Sequence, residues 1–241
     1  MSNSYFRLQC SDFNYSKEIF LKVIKVGIPM ALQNSFIALS LIALQRVVNE
    51  FGSDFVTSYT LVKRIELVVQ QPLVSFGAAM ATYTGQNIGA GKLSRVKLGY
   101  IKAILCMCVF SIFIFILFQI YAPNIVSIFG NDPTVLNYAV RGLKLDSLFY
   151  ISLGTIHVTR NLLNGAGYTK FSMINGAIEC ISRACFSKPL SMLIGLNGVW
   201  LTAGITWTLN GLFCIIRYKL WKWKTISLAK IQNKQIIIEK S

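Results

Sequence analysis

The stretch from Phe76 to Lys102, FGAAMATYTGQNIGAGKLSRVKLGYIK, decides the fold class of this chain. Its first part is apolar and rich in small residues, its middle is the glycine-rich run of residues 85–91, and its end is basic. Residues 68–84 are about the length of a membrane helix and contain no turn signal before Gly85. The stretch therefore predicts a membrane helix that leaves the bilayer on its cytoplasmic side.

A glycine-rich run followed by lysine is also typical of a phosphate-binding loop, and this alternative is excluded by two residues. A Walker A loop needs glycine at position 86 and serine or threonine at position 93. The chain has Gln86 and Leu93 at these positions. A P-loop also follows a buried strand, whereas a helix is predicted here.

Composition supports a membrane protein. The chain is 54% hydrophobic and 14% charged, whereas soluble domains carry about 25% charged residues. A net charge of +15 suggests nucleic acid as a partner, but a nucleic-acid binder collects its basic residues on one face. Here the basic residues lie between apolar segments, so we expect no nucleic acid.

The apolar pattern predicts an all-α polytopic membrane protein with both ends on one side. The motif Gly27-Ile28-Pro29 predicts the start of the first helix, and Pro189 predicts a kink or an early end of the fifth. In the fourth span, charged residues at 141, 144 and 146 leave open a helix that begins outside the bilayer. The predicted spans are 26–49, 56–83, 99–122, 135–163, 171–194 and 196–220.

Lysine and arginine near the ends of the spans predict the orientation, because they resist translocation. Sixteen of them fall in residues 1–25, residues 88–102, Lys170 and residues 214–241. The alternate connections, around 50–55, 121–134 and 194–198, contain none. Both termini are therefore predicted to be cytoplasmic, in a multi-pass protein of the bacterial cell membrane.

Polar and ionisable residues inside the spans are the candidates for a substrate or cation pathway, because such groups usually face a cavity or a partner. The alternative for each is a hydrogen bond or ion pair that only holds helices together. His157, the single histidine, is open to a proton-relay role, but a structural role is favoured. The predicted pathway residues are Gln33, Asn34, Glu66, Gln70, Asn175, Glu179 and Arg183.

Spacing adds detail to two of these candidates. Glu179 and Arg183 are four residues apart, so they share a helix face and are predicted to pair. Asn175 lies one turn earlier on that face. Glu66 follows two basic residues and precedes Pro72, where a freed carbonyl group and a kink favour a polar pocket.

Four motifs resemble the multidrug and toxic compound extrusion (MATE) family in order and spacing. They are GIPMALQNSFIALS at 27–40, FGSDFVTSYTLVKRIE at 51–66, GQNIGAGKLSRV at 85–96 and LLNGAGYTKFSMINGAIECISR at 162–183. The resemblance covers residues 7–225. It implies one of two six-helix lobes around a central cavity, the second lobe, with an inter-lobe linker at 1–25, the lobe at 26–220 and a basic cytoplasmic tail at 221–241.

The chain departs from the sodium-coupled branch of that family at two positions. The resemblance places acidic residues of the cation site where this chain has Ile37 and, approximately, Leu153. Glu66 and Glu179 are the acids that remain near these places. Coupling to sodium through the usual second-lobe pair is therefore not expected.

The resemblance implies a secondary-active antiporter that exports drugs or metabolites, often cationic, in exchange for Na⁺ or H⁺, with no other cofactor. Its expected partners are the lipid bilayer, a small-molecule substrate, and either a missing first lobe or a second copy. The alternatives are a flippase for lipid-linked saccharides, which has a related fold, and a structural half that does not transport. An enzyme is not expected, because one histidine beside Arg160 supplies no catalytic cluster.

Overall fold

The computed structural model of the protein describes residues 16–220, and in this range the chain is all-α. Residues 1–15 of the predicted linker and the whole predicted tail lie outside the described range. Within it there are seven helices and no strand. The helices are α1 (Lys17–Asn49), α2 (Ser53–Gly89), α3 (Leu93–Ser127), α4 (Pro133–Ser147), α5 (Tyr150–Gly165), α6 (Lys170–Ile194) and α7 (Leu196–Leu220).

Three of the helices, α1, α3 and α7, are long and apolar enough to cross a membrane. Helices α2 and α6 are also long, at 37 and 25 residues, but both carry charged residues near their middle. Large apolar side chains cover the outside of α1 and α3, where Ile42 and Val109 are more than half exposed. These surfaces suit contact with lipid, and the charges of α2 and α6 need another environment.

The connections between helices alternate between two ends of the bundle, as the pattern of six spans predicts. At one end Lys188 of α6 pairs with Glu50, which follows α1. At the other end the backbone of Gly165 lies against Ala81 of α2. The α1–α2 and α6–α7 connections therefore share one end, and the α2–α3 and α5–α6 connections share the other.

The predicted fourth span is two helices, α4 and α5. The N–H groups of Leu148 and Phe149 donate to the carbonyl groups three residues earlier, at 3.3 and 3.0 Å, which tightens the chain into a turn between the two helices. Asp146, just before this turn, is fully buried. It therefore belongs to the core of the bundle.

The first helix begins earlier than predicted. Helix α1 starts at Lys17, after Ser16, whose hydroxyl oxygen accepts from the N–H of Ile19 at 3.4 Å. The prediction of a helix start at Gly27-Ile28-Pro29 is therefore wrong. Pro29 lies inside the helix, which membrane helices tolerate because nearby groups satisfy the freed backbone.

Helix α2 ends later than its predicted span, whereas α6 ends where its predicted span does. Helix α2 continues through the GQN motif to Gly89, and the chain turns only at residues 90–92, where Gly91 has φ +72°. Helix α6 continues past Pro189 to Ile194, so the early end is wrong. Gly195 is the single residue between α6 and α7, and its φ of +60° is one that glycine adopts easily.

Helix α1 lies at the edge of the bundle. It packs mainly on α6, and it has few contacts with α2 and α7. The closest approach is at Gly176 of α6, where an added Cβ atom would lie 2.8 Å from the carbonyl oxygen of Gln33. Helices α1 and α6 form one packed pair, and α2 and α5 form another. Since α1 has few contacts with α2, a space remains between the two pairs.

Candidate functional site

A cavity of about 480 Å³ occupies the space between the two helix pairs. We call it the central cavity. Several of its lining residues, such as Leu41, Thr60 and Arg64, are exposed, so it opens on the surface of the lobe. The lining side chains come from α1 (Ile37, Leu41, Leu44, Gln45), α2 (Tyr59, Thr60, Lys63, Arg64, Glu66, Leu67, Gln70), α5 (Leu153, Ile156, His157, Arg160), α6 (Glu179, Arg183) and α7 (Ala203, Trp207).

Lys63 and Glu66 line one wall of the central cavity, and together with the fully buried Asp146 they form what we call the Lys63 cluster. The Lys63 ammonium nitrogen lies 2.7 Å from Oε2 of Glu66 and 3.3 Å from Oδ2 of Asp146. The hydroxyl of Tyr150 donates to Oε1 of Glu66 at 3.2 Å. Lys63 and Glu66 are three residues apart, so both lie on one face of α2. Asp146 comes from the last turn of α4.

Two aromatic rings border the same ammonium group. Its nitrogen lies 5.2 Å from the centroid of Tyr59 and 5.8 Å from that of Trp207. Both rings are buried. Since ring faces attract cations within about 6 Å, the rings add to the stabilisation of the charge on Lys63.

The other wall holds an ion pair that was predicted from spacing. The Arg183 guanidinium lies 3.1 Å from Oε1 of Glu179, and both residues are buried. Arg183 also donates to the hydroxyl oxygen of Ser40 at 2.7 Å, which ties α6 to α1. Asn210 of α7 donates to Oε2 of Glu179 at 3.3 Å. The pairing prediction is confirmed, and we call Ser40, Glu179, Arg183 and Asn210 the Arg183 cluster.

Two further arginines line the central cavity. Arg160 is partly buried and Arg64 is exposed. Among residues 16–220 neither of them makes an ion pair or a side-chain hydrogen bond. Four basic and two acidic side chains therefore line the cavity, and its wall carries more positive than negative charge.

The predicted pathway residues do not all meet in the cavity. Glu66, Gln70, Glu179 and Arg183 line it, whereas the other three do not. Gln33 is buried at the α1–α6 contact, and Asn34 is exposed. Asn175 is buried behind the Arg183 cluster, where it donates to Oδ1 of Asn210 at 2.5 Å. Asn175 therefore links α6 to α7 by a hydrogen bond, which was the alternative considered for each candidate, and Gln33 packs against Gly176 of α6.

Lys63, Asp146 and Arg160 were not among the predicted pathway residues, although the structure places them at the cavity. The spacing of Lys63 and Glu66 carried a usable signal, because residues three apart on a helix are neighbours. No local signal joins Asp146 to Lys63, since they are 83 residues apart. In the part of the chain that the structure describes, no three His, Cys, Asp or Glu residues form a group that could hold a metal ion.

Ile37 and Leu153 both line the central cavity. They are the two positions at which the sequence departs from the sodium-coupled pattern. Their side chains are apolar, so these parts of the wall offer no oxygen ligands for a cation. The carboxylates of the cavity wall come instead from Glu66 and Glu179.

The chain matches known membrane transporters along most of its length. It is 26% identical over 207 residues to the probable multidrug resistance protein YpnP of Bacillus subtilis, covering 86% of this chain and 46% of that protein. It is 26% identical over 221 residues to the probable multidrug resistance protein YoeA of the same organism, covering 89% and 47%. The chain thus spans about half the length of the curated relatives it matches.

The same half-length match appears in solved structures. The crystal structure of MATE in the bent conformation superposes with a TM-score of 0.83 at 20% identity, covering 94% of this chain and 51% of that one. At 20% identity this structural similarity establishes a shared fold and no more. The sequence profile of the MatE family matches residues 29–187, most of the chain. The chain therefore belongs to the MatE family, whose members are membrane transporters and not enzymes.

Proposed function

We propose that this chain forms one half of a secondary-active antiporter that exports drugs or metabolites across the cell membrane in exchange for Na⁺ or H⁺. The central cavity is the observation that carries this proposal. Five helices of an apolar bundle contribute charged, polar and aromatic side chains to it. Sites of this kind, near the middle of the membrane and between repeats, are where secondary transporters bind substrates and coupling ions.

The open side of the cavity supports the presence of a second half. Arg64 and Thr60 line the cavity and are exposed, while apolar side chains such as Leu67 are exposed beside them. Charged groups that face lipid are costly, and they usually face a partner or water instead. We infer that a first six-helix lobe covers this side, with a second copy of the chain as the alternative.

The coverage of the relatives agrees with this inference. The chain matches 46% of YpnP and 47% of YoeA, so each relative has room for another lobe. Both relatives are named as probable multidrug resistance proteins. We propose the same class of activity for the assembled protein, with both termini of this chain in the cytoplasm.

The acids of the cavity are the proposed groups for coupling. Glu66 and Glu179 are buried, line the cavity and are already linked to basic groups. A change in these links, caused by an entering ion, would alter the packing of α2 or α6 against its neighbours. The alternative is that the charged clusters only hold the lobe together, as expected for a structural half that does not transport.

Accumulation of norfloxacin and ethidium in a bacterial host without its own efflux pumps tests the proposal. The chain alone is expected to leave accumulation unchanged. Co-expression with the first lobe of YpnP is expected to lower it, and Glu66→Gln is expected to weaken that effect. The matched control is Glu50→Gln, the same change at a half-exposed acid outside the cavity. Unchanged accumulation with every first lobe tested would favour the structural half.

A further inference from the structure

The acids that line the central cavity are already engaged by the protein. Both carboxylate oxygens of Glu66 accept from donors, and so do both oxygens of Glu179. Oδ1 of Asp146 has no hydrogen-bond partner among residues 16–220, but Asp146 is fully buried and does not line the cavity. A cationic group that enters the cavity therefore meets no lining carboxylate oxygen that lacks a donor.

The arginine side chains of the cavity differ from its acids, because Arg160 has N–H donors without a partner among residues 16–220. Its guanidinium carries five N–H groups, and within residues 16–220 none of them donates to a side chain or backbone oxygen. Glu179 acts on Arg160 electrostatically but pairs with Arg183. One carboxylate thus serves two guanidinium groups, and one positive charge is left over at Arg160. Arg64, the other lining arginine without an ion pair among residues 16–220, is exposed at the open side of the cavity.

The surroundings of Arg160 suit an amphipathic molecule. Leu153, Ile156 and Leu67 form an apolar wall along the cavity. His157, three residues before Arg160, lines the same space and offers a further polar contact. A cavity of about 480 Å³ is within the usual range for a drug-sized ligand.

We propose that Arg160 binds the carboxylate group of an amphipathic organic monoanion, whose apolar body packs on Leu153, Ile156 and Leu67. The planar guanidinium matches a carboxylate with two parallel hydrogen bonds, and one negative charge balances the one positive charge left over. The assignment deepens the proposed function and rests on it in treating the bound anion as a substrate. It gives the cavity a preference for anions over organic cations.

Two probes with the same aromatic body and opposite charges test the assignment. The full chain is purified in the uncharged detergent dodecyl maltoside, and 2-naphthoate and 2-naphthylmethylammonium are titrated by calorimetry, with empty micelles as the blank. Naphthoate is expected to bind about tenfold more tightly or better, as charge-assisted hydrogen bonds imply. Equal or tighter binding of the ammonium probe, or no binding of naphthoate, would overturn the assignment.

Variants of Arg160 locate the site. Arg160→Gln is expected to weaken naphthoate binding by about tenfold and to leave the ammonium probe unaffected, since the positive charge and the paired N–H donors of the guanidinium are both lost. Arg160→Lys is expected to bind naphthoate with intermediate affinity, because the charge is kept and only the paired donor geometry is lost. The matched control is Arg141→Gln, an exposed arginine outside the cavity, which should bind as the wild type does. Equal effects at the two arginines would contradict the proposal.

The outcomes separate this inference from the proposed function. If naphthoate binds through Arg160 but no lobe pair exports any test drug, the anion site stands and the transport proposal fails. If a lobe pair exports drugs but the purified chain prefers the ammonium probe, transport stands and the anion site fails. If Arg160→Gln does not fold, the comparison of the two probes on the wild type and on Arg160→Lys decides.

Discussion

The pair of Glu179 and Arg183 allows a quantitative prediction about stability. Glu179→Ala removes an ion pair at 3.1 Å and leaves the Arg183 guanidinium buried, with Ser40 as its one hydrogen-bond acceptor among residues 16–220. Removal of one partner from a buried ion pair destabilises a protein by about 3–5 kcal/mol. We expect a loss in this range for Glu179→Ala and a similar loss for Arg183→Ala.

Replacement of both partners should be much less harmful. In Glu179→Leu/Arg183→Leu no charge of the pair remains. The hydroxyl of Ser40 and the amide of Asn210 each lose a hydrogen bond, and the partly buried Arg160 loses a nearby negative charge. With about 1 kcal/mol for each lost hydrogen bond, the double variant should lose about 2 kcal/mol. Its effect should therefore be well below the sum of the two single changes.

The assay is the free energy of unfolding of the purified chain, from titration with sodium dodecyl sulfate followed by circular dichroism. Glu50→Ala is the matched control, because it breaks the ion pair between Glu50 and Lys188, two side chains that are both about half exposed. An exposed pair contributes about 0–1 kcal/mol. The reasoning would be refuted if the Glu179 and Arg183 variants resembled Glu50→Ala, or if the double variant lost the full sum.

Three further predictions concern the topology, the packing of α1 on α6 and the Lys63 cluster. In a chain whose natural cysteines are replaced, cysteines at Ser53 and Asn131 should react with an impermeant maleimide from outside the cell, and reaction only from the cytoplasm would reverse the orientation. Gly176→Ala should destabilise the protein by about 1–3 kcal/mol in the same unfolding assay, since the new methyl group meets backbone atoms of α1. The control is Gly27→Ala, which should be neutral or stabilising, because the added Cβ atom would meet no atom of another helix within 4 Å. Lys63→Met should lower the melting temperature, because two buried carboxylates lose their shared ammonium, and an unchanged melting temperature would contradict that role.

The sequence predicted the fold class and most of the helices, because their apolar runs are long and end at glycine. It failed at positions where a local preference gave way to the surrounding helix. Pro29 suggested a helix start, but Ser16 caps the helix and Pro29 lies inside it. The turn at Leu148 and Phe149 has neither glycine nor proline, so no local signal marks it.

The candidate site was predictable where its residues are close in sequence. The pair of Glu179 and Arg183 follows from a spacing of four residues on one helix. The contact of Lys63 with Asp146 depends on how α4 packs on α2, and a single sequence does not encode that packing in a readable pattern. Arg160 was not predicted as a site residue for the same reason, since it is distinguished only when the partners of every acid in the cavity are known.

Transport by reconstituted protein tests the central claim, that this chain is one wall of a transport cavity. Proteoliposomes would contain the chain alone, the first lobe of YpnP alone, or both together, with an inward Na⁺ or H⁺ gradient imposed in separate runs. Norfloxacin is expected to move only when both lobes are present and a gradient is applied, because alternating access needs two lobes that move about a shared cavity. Gradient-driven transport by the chain alone would make a second copy the partner in place of a first lobe, and no transport by the pair under either gradient would contradict the claim.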